Sequence, residues 1–188
     1  MKSNSLTCNL LLLMCFAVFL QCKKNNSNVE SPPTPQDSPE LLTSMVLQFK
    51  DSANTAALVQ AEFRDPDGPG GKNPSRFDTI QLKINKTYYL NIILLDETKT
   101  PFDTISKEVW NKRNEHQLFF NFSNINISST YMDKDDNGLP IGLNSKWHCG
   151  SASTGISKIT LKHQPNSKNG SFNSGETDIE LNFQTILK

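Results

Sequence analysis

The chain has 188 residues, with 19 Lys and Arg set against 19 Asp and Glu, so its formal net charge is zero. That balance argues against a nucleic-acid partner, which calls for a basic patch or stripe. The length suits one ordinary domain with its own core.

Lys2 followed by the apolar run Leu10 to Leu20 forms the n- and h-regions of a secretory signal. The run is shorter than the roughly 20 apolar residues of a membrane span. It ends in Phe19-Leu20-Gln21-Cys22, a loose lipobox in which Gln21 departs from the small residue usual before the cysteine. We therefore expect a lipoprotein signal over residues 1–21, cut before Cys22, whose thiol takes a diacylglycerol. A plain signal, or an uncleaved anchor with a chance cysteine, is the alternative. Two or three acyl chains, at about 0.8 kcal/mol per buried CH₂, hold a protein durably on a membrane. Lys23 and Lys24 can add contact with anionic head groups.

Processing removes Cys8 and Cys15, and lipid consumes Cys22, so only Cys149 of the four cysteines remains. No intramolecular disulfide can then form, although the export compartment permits one. Cys149 is expected as a buried small apolar residue rather than a reactive thiol. Only Lys2 among the charged residues leaves with the signal, which gives the mature chain a net charge of −1.

Residues 22–40 combine the lipidated cysteine with Asn, Ser and four prolines and have almost nothing to bury. This composition predicts a disordered tether that lifts a domain off the bilayer. From residue 41 to 188 the hydrophobic period is two. Met45, Leu47 and Phe49 form one alternating set, and Ala57, Val59, Ala61 and Phe63 form another, as half-buried strands do. Pro66, Pro69 and Pro74 with Gly68, Gly70 and Gly71 make Arg64 to Arg76 a loop. Ile80, Leu82 and Ile84, a turn at Asn85-Lys86 and a strand over Tyr88 to Leu95 suggest a hairpin. Ile105 to Glu115 is the single helix candidate, with Ile105 and Val109 on one face and Asp103, Thr104 or Ser106 as cap. Strands follow over His116–Phe122 and Ile125–Met132, then a loop over Asp133–Leu143 and an extended piece at Trp147. Ile156–Lys162 and Ile179–Phe183 make the last two strands. The pattern predicts an all-β sandwich, immunoglobulin-like or transthyretin-like, of about eight or nine strands with one short helix.

Two constellations bear on chemistry. Asp133, Asp135 and Asn137, followed by Gly138, match the opening of a calcium loop, where hard oxygens alternate before a sharp turn. Position 12 is Asn144, not the bidentate glutamate of an EF-hand, so at most a calcium-binding β-loop is implied. Asp-Asn-Gly is equally ordinary turn chemistry. Asp65 and Asp67 make a second acidic turn that would share such a site only if the two loops met. His116 and His163, with His148 and Cys149, offer nitrogen and sulfur ligands for Zn²⁺ or Cu²⁺ without a short metal-motif spacing. A lone strand histidine is more often simply hydrogen-bonded. The GPGGK run fails the phosphate-loop pattern, and GSASTG fails that of a nucleophile elbow. Phe119, Phe120 and Phe122 sit where a strand core needs them.

The segments FRDPDGPGG, EHQLFF, YMDKDDNGLPIGL, LKHQP and GETDIELNF resemble a group of small outer-membrane lipoproteins of the Bacteroidetes type, over about Met45 to Phe183. Some of these carry a type 1 periplasmic-binding label, which implies an α/β fold that the period-two strands here contradict. The resemblance implies location and company: lipoproteins of this kind work beside outer-membrane receptors or other envelope proteins. It brings no activity with it. The sequence thus leads to a lipid-anchored, non-enzymatic binding or accessory protein of the cell envelope. A Zn-, Cu- or Ca-binding lipoprotein and a structural or adhesive surface module are the alternatives.

Overall fold

The computed structural model describes residues 41–188. The signal peptide of residues 1–21, the lipidation site Cys22 and the tether to residue 40 lie outside the described residues. The alternating segments form ten strands in two sheets. They are β1 (Ser44–Asp51), β2 (Asn54–Arg64), β3 (Arg76–Phe77), β4 (Ile80–Leu82), β5 (Thr87–Leu95), β6 (His116–Ser123), β7 (Ile127–Tyr131), β8 (Asn144–Cys149), β9 (Ser153–His163) and β10 (Glu176–Leu187). One sheet runs β3-β2-β1-β5-β8-β7 and the other β4-β10-β9-β6. The architecture is an all-β sandwich with one short helix, α1 (Ile105–Asn111). The strand that the sequence reading did not foresee is the short β3, at one edge of the larger sheet.

Alternation places Met45, Leu47, Phe49, Leu90, Ile92 and Leu94 of one sheet against Leu118, Ile159, Leu161, Leu181 and Phe183 of the other, all buried. Trp147 stands at the centre of this core, edge-on to Phe49, Phe120 and Phe122 at centroid distances of 5.3, 5.6 and 4.9 Å. Buried Cys149 lies beside it in the same cluster. Burial pushes the Cys149 thiol up to about 11, so it stays protonated and unreactive.

The hairpin expected across Asn85-Lys86 does not form. β4 pairs parallel with β10, Thr185 opposite Ile80, whereas β5 pairs antiparallel with β1 in the other sheet. The segment between them is therefore a crossover. Asn85 takes a left-handed φ of 53° there, and its N–H donates to Gly150 O. Ile84, expected to continue the inward face, is exposed because β4 ends at Leu82. Packing decides the matter: β1 gains a full eight-residue ladder from β5, and Ile80 and Leu82 fill the core beneath β10.

Helix α1 is shorter than its predicted span. Thr104 is its N-cap residue and makes no side-chain cap bond. Ser106 instead accepts the Leu94 N–H at 2.6 Å, where β5 has run past its β8 neighbour. The helix thus closes an exposed ladder end and buries Ile105 and Val109.

One end of the sandwich carries most of the polar structure. There β1 begins beside the ends of β2 and β5, β7 ends beside the start of β8, and β6 and β10 begin opposite the end of β9. Leu118 N–H donates to Ile141 O at 2.7 Å and ties the sheets together at this end.

Candidate functional site

His116 and His163 are direct cross-strand partners on β6 and β9, and both side chains point inward. Their rings stack at 4.6 Å with 9° between planes. His116 Nδ1 lies 3.2 Å from Lys112 O. A carbonyl only accepts, so Nδ1 carries the proton and the Nε2 of the neutral ring presents its lone pair. That Nε2 stands 3.8 Å from Asp178 Oδ2. Across the stack, His163 Nε2 stands 3.6 Å from Glu115 Oε2.

Asp178 is the residue that the sequence conceals. Alternation with Ile179, Leu181 and Phe183 would turn it outward. The register of β10 slips between Thr177 and Ile179, and the extra residue of this bulge is Asp178. Its side chain is only 1% exposed, and neither carboxylate oxygen has a hydrogen-bond partner. Burial raises its carboxyl to about 6, opposed by His163 and assisted by Glu176. Burial lowers His116 to about 4, with the neighbouring His163 charge acting in the same direction. Between those two values, in mild acid, the shifts favour a neutral pair in which the proton resides on the carboxyl.

The two rings share a location without sharing a coordination point. Imidazole nitrogens bind a metal along lone pairs in the ring plane, and stacked, nearly parallel planes do not converge at the roughly 2.0–2.1 Å of a zinc bond. Among the described residues, no three His, Cys, Asp or Glu side chains are grouped to hold a metal ion. His148 belongs to the other sheet, exposed, with its Nδ1 3.1 Å from Thr87 Oγ1.

The acidic loop satisfies itself. Asp133 Oδ1 accepts Gly142 N–H at 2.6 Å, and Oδ2 accepts Asn144 N–H at 2.7 Å. Asp135 Oδ1 accepts the N–H groups of Asn137 and Leu139, which closes an Asx-type turn. Asp135 Oδ2 takes the buried Lys168 ammonium at 2.9 Å, and Lys168 also donates to Arg113 O. The lysine brings a positive charge to the carboxylate that a calcium ion would need. Asn137 is exposed. Asp65 and Asp67 leave from β2 at the same end, but β1, β5 and β8 separate them from β7. Four strand spacings put that separation at about 19 Å.

A third feature is a groove on the outer face of the smaller sheet, a cavity of about 330 Å³ lined by Phe119, Phe120, Asn121, Lys158, Thr160 and Phe172. Phe120 and Phe122 pack against Trp147, as a core strand requires. Phe119, expected with them, faces outward and meets Phe172 edge-on at 5.4 Å. Lys162 Nζ lies 5.4 Å from the Phe172 ring centroid. Phe172 belongs to residues 164–175, whose frame is Gln164 Nε2 donating to Ser171 O and Ser174 O. Lys158 and Thr160 both engage Glu180, which fixes the polar side of the groove. No family model, curated protein or solved structure matches this chain.

Proposed function

We propose that the chain is a lipid-anchored, non-enzymatic binding or accessory module of the cell envelope. Lipid on Cys22 holds it to the membrane, and its ligand seats in the groove on the outer face of the smaller sheet. The groove is the observation that carries this reading. It offers the apolar rings of Phe119 and Phe172 beside the oriented polar groups of Asn121, Lys158 and Thr160, the composition of a ligand site. Among the described residues no helix is long and apolar enough to cross a membrane; the lipobox-like Phe19-Leu20-Gln21-Cys22 is what supports the anchor. The envelope location makes an outer-membrane receptor or another envelope protein the natural companion.

Two measurements test this. Intact mass and detergent-phase partition are expected to show lipid on the wild type and none on Cys22→Ser. A thermal-shift screen of envelope sugars, peptides and lipids is expected to yield a stabilising ligand whose effect is lost on Phe119→Ala and Phe172→Ala. Turnover on a hydrolase panel, or ligand binding indifferent to both changes, would overturn the reading. The metal-binding alternative requires the stacked His116 and His163 rings to reorient toward one ion. Melting with EDTA and with Zn²⁺ separates it, through a zinc shift lost in His116→Ala with His163→Ala.

A further inference from the structure

We propose that the end of the sandwich at which the chain enters the domain rests on the bilayer surface, with Leu41, Phe102 and Trp110 in contact with lipid. The proposal rests on the anchor reading for Cys22.

These three side chains are 45%, 59% and 45% exposed, large apolar groups left in water. All belong to the entry end. Leu41 precedes Thr43, whose N–H donates to Leu95 O and whose hydroxyl oxygen accepts Glu97 N–H. Phe102 lies in the turn closed by the reciprocal Asp96–Asp103 backbone bonds, next to that contact. Trp110 is on the exposed side of α1, which follows directly.

Two cations among them are already paired. Lys99 pairs with Asp96 and Asp103, and Arg113 pairs with Asp136 while lying 5.7 Å from the Trp110 ring centroid. A membrane interface suits an exposed Trp and Phe, whose large rings settle at head-group depth.

The covalent path selects the same occupant. Leu41 stands nineteen residues after Cys22. A coil of that length spans about 25 Å, and even a polyproline-like chain reaches only about 60 Å. A tether of that reach lets the entry end touch the bilayer. Confinement of that kind gives millimolar effective concentrations, at which weak apolar contacts suffice.

The chain contains two tryptophans, Trp110 and Trp147, and the second is fully buried in the core. Trp110 emission therefore reports the surface. The full-length lipidated protein is placed in phosphatidylethanolamine–phosphatidylglycerol vesicles whose acyl chains carry bromine. Emission is expected to shift to the blue and to be quenched. Both effects should be lost in Trp110→Phe, which leaves only the Trp147 background. Both should weaken in Phe102→Asp, a surface change checked by an unaltered urea midpoint. Unquenched Trp110 in protein whose mass shows lipid overturns the docking while the anchor stands. A blue shift without quenching means that protein covers the ring, which overturns it equally. If the mass shows no lipid on Cys22, the anchor reading falls by a separate readout and the docking falls with it.

Discussion

Replacing Asp178 with asparagine keeps the size of the buried side chain in the β10 bulge and removes its ionisation. Burial raises the Asp178 carboxyl from 3.8 to about 6. Its contribution to stability is fully present below the unfolded value and is lost as pH rises through the folded one. His116, lowered by burial from 6.5 to about 4, acts with the opposite sign. Its contribution is present above the unfolded value and is lost as pH falls through the folded one. The two windows nearly coincide, so the wild-type slopes cancel between them: folding moves a proton from imidazole to carboxyl with no net uptake. A carboxyl raised from 3.8 to about 6, at about 1.36 kcal/mol for each tenfold change in proton affinity, sets a ceiling of about 3 kcal/mol on keeping Asp178 ionised at neutral pH. Asp178→Asn is therefore expected to be more stable than wild type by up to about 3 kcal/mol at neutral pH, an advantage that vanishes near the unfolded carboxyl value. The variant also exposes the His116 slope and loses stability steeply in mild acid. Urea unfolding across that range, with m-values compared, measures both effects. A stability difference that stays constant with pH would refute the neutral pair.

Other substitutions probe the same end and the core. Lys168→Met strands the buried Asp135 carboxylate and should cost about 3–5 kcal/mol, much of it recovered by adding Asp135→Asn; denaturant midpoints of the two variants decide it. Gly175→Ala places a Cβ 2.1 Å from His163 O at a φ of 67°, so a loss above about 2 kcal/mol is expected in thermal unfolding. Trp147→Ala removes the ring at the centre of the aromatic core and should cost about 3–5 kcal/mol by urea titration. Added calcium should leave the melting midpoint unchanged, while Asp133→Ala lowers it without any metal, because two backbone amides lose their acceptor. A calcium-induced rise abolished by Asp133→Ala would show that the loop opens to take the ion.

The strands were legible where inward residues alternate: Met45, Leu47 and Phe49 are all buried, as their period required. Partnering was not legible. Nothing local to Asn85-Lys86 distinguishes a hairpin from a crossover, since the choice depends on β10, a hundred residues later in the chain. Phe119 and Phe120 are adjacent apolar residues, and only the closed fold reveals which faces Trp147 and which faces Phe172. His116 and His163 stand out in the sequence as metal-capable groups, and the β6–β9 register does bring them together. The two residues that govern their surroundings could not be found by pattern. Asp178 is inverted by a bulge that breaks the period, and Lys168 sits in a polar turn, where a lysine ordinarily points to water.

The two ends of the sandwich divide labour. The far end is closed by short connections at residues 52–53, 83–86, 124–126 and 150–152, whereas the entry end carries the long ones at 65–75, 96–104, 132–143 and 164–175. Short turns fix register, and long loops held by a rigid scaffold are where binding residues accumulate. The loop at 164–175 joins the groove to the buried ion pair. Phe172 walls the groove, Gln164 frames the turn, and Lys168 locks it to Asp135 beneath the helix that carries Trp110. A ligand that displaces Phe172 must strain this frame, and a variant that loosens Lys168 must soften the groove. Ligand affinity in Lys168→Met should therefore fall even though Lys168 does not line the groove. Unchanged affinity would show that the groove and the buried ion pair are energetically independent.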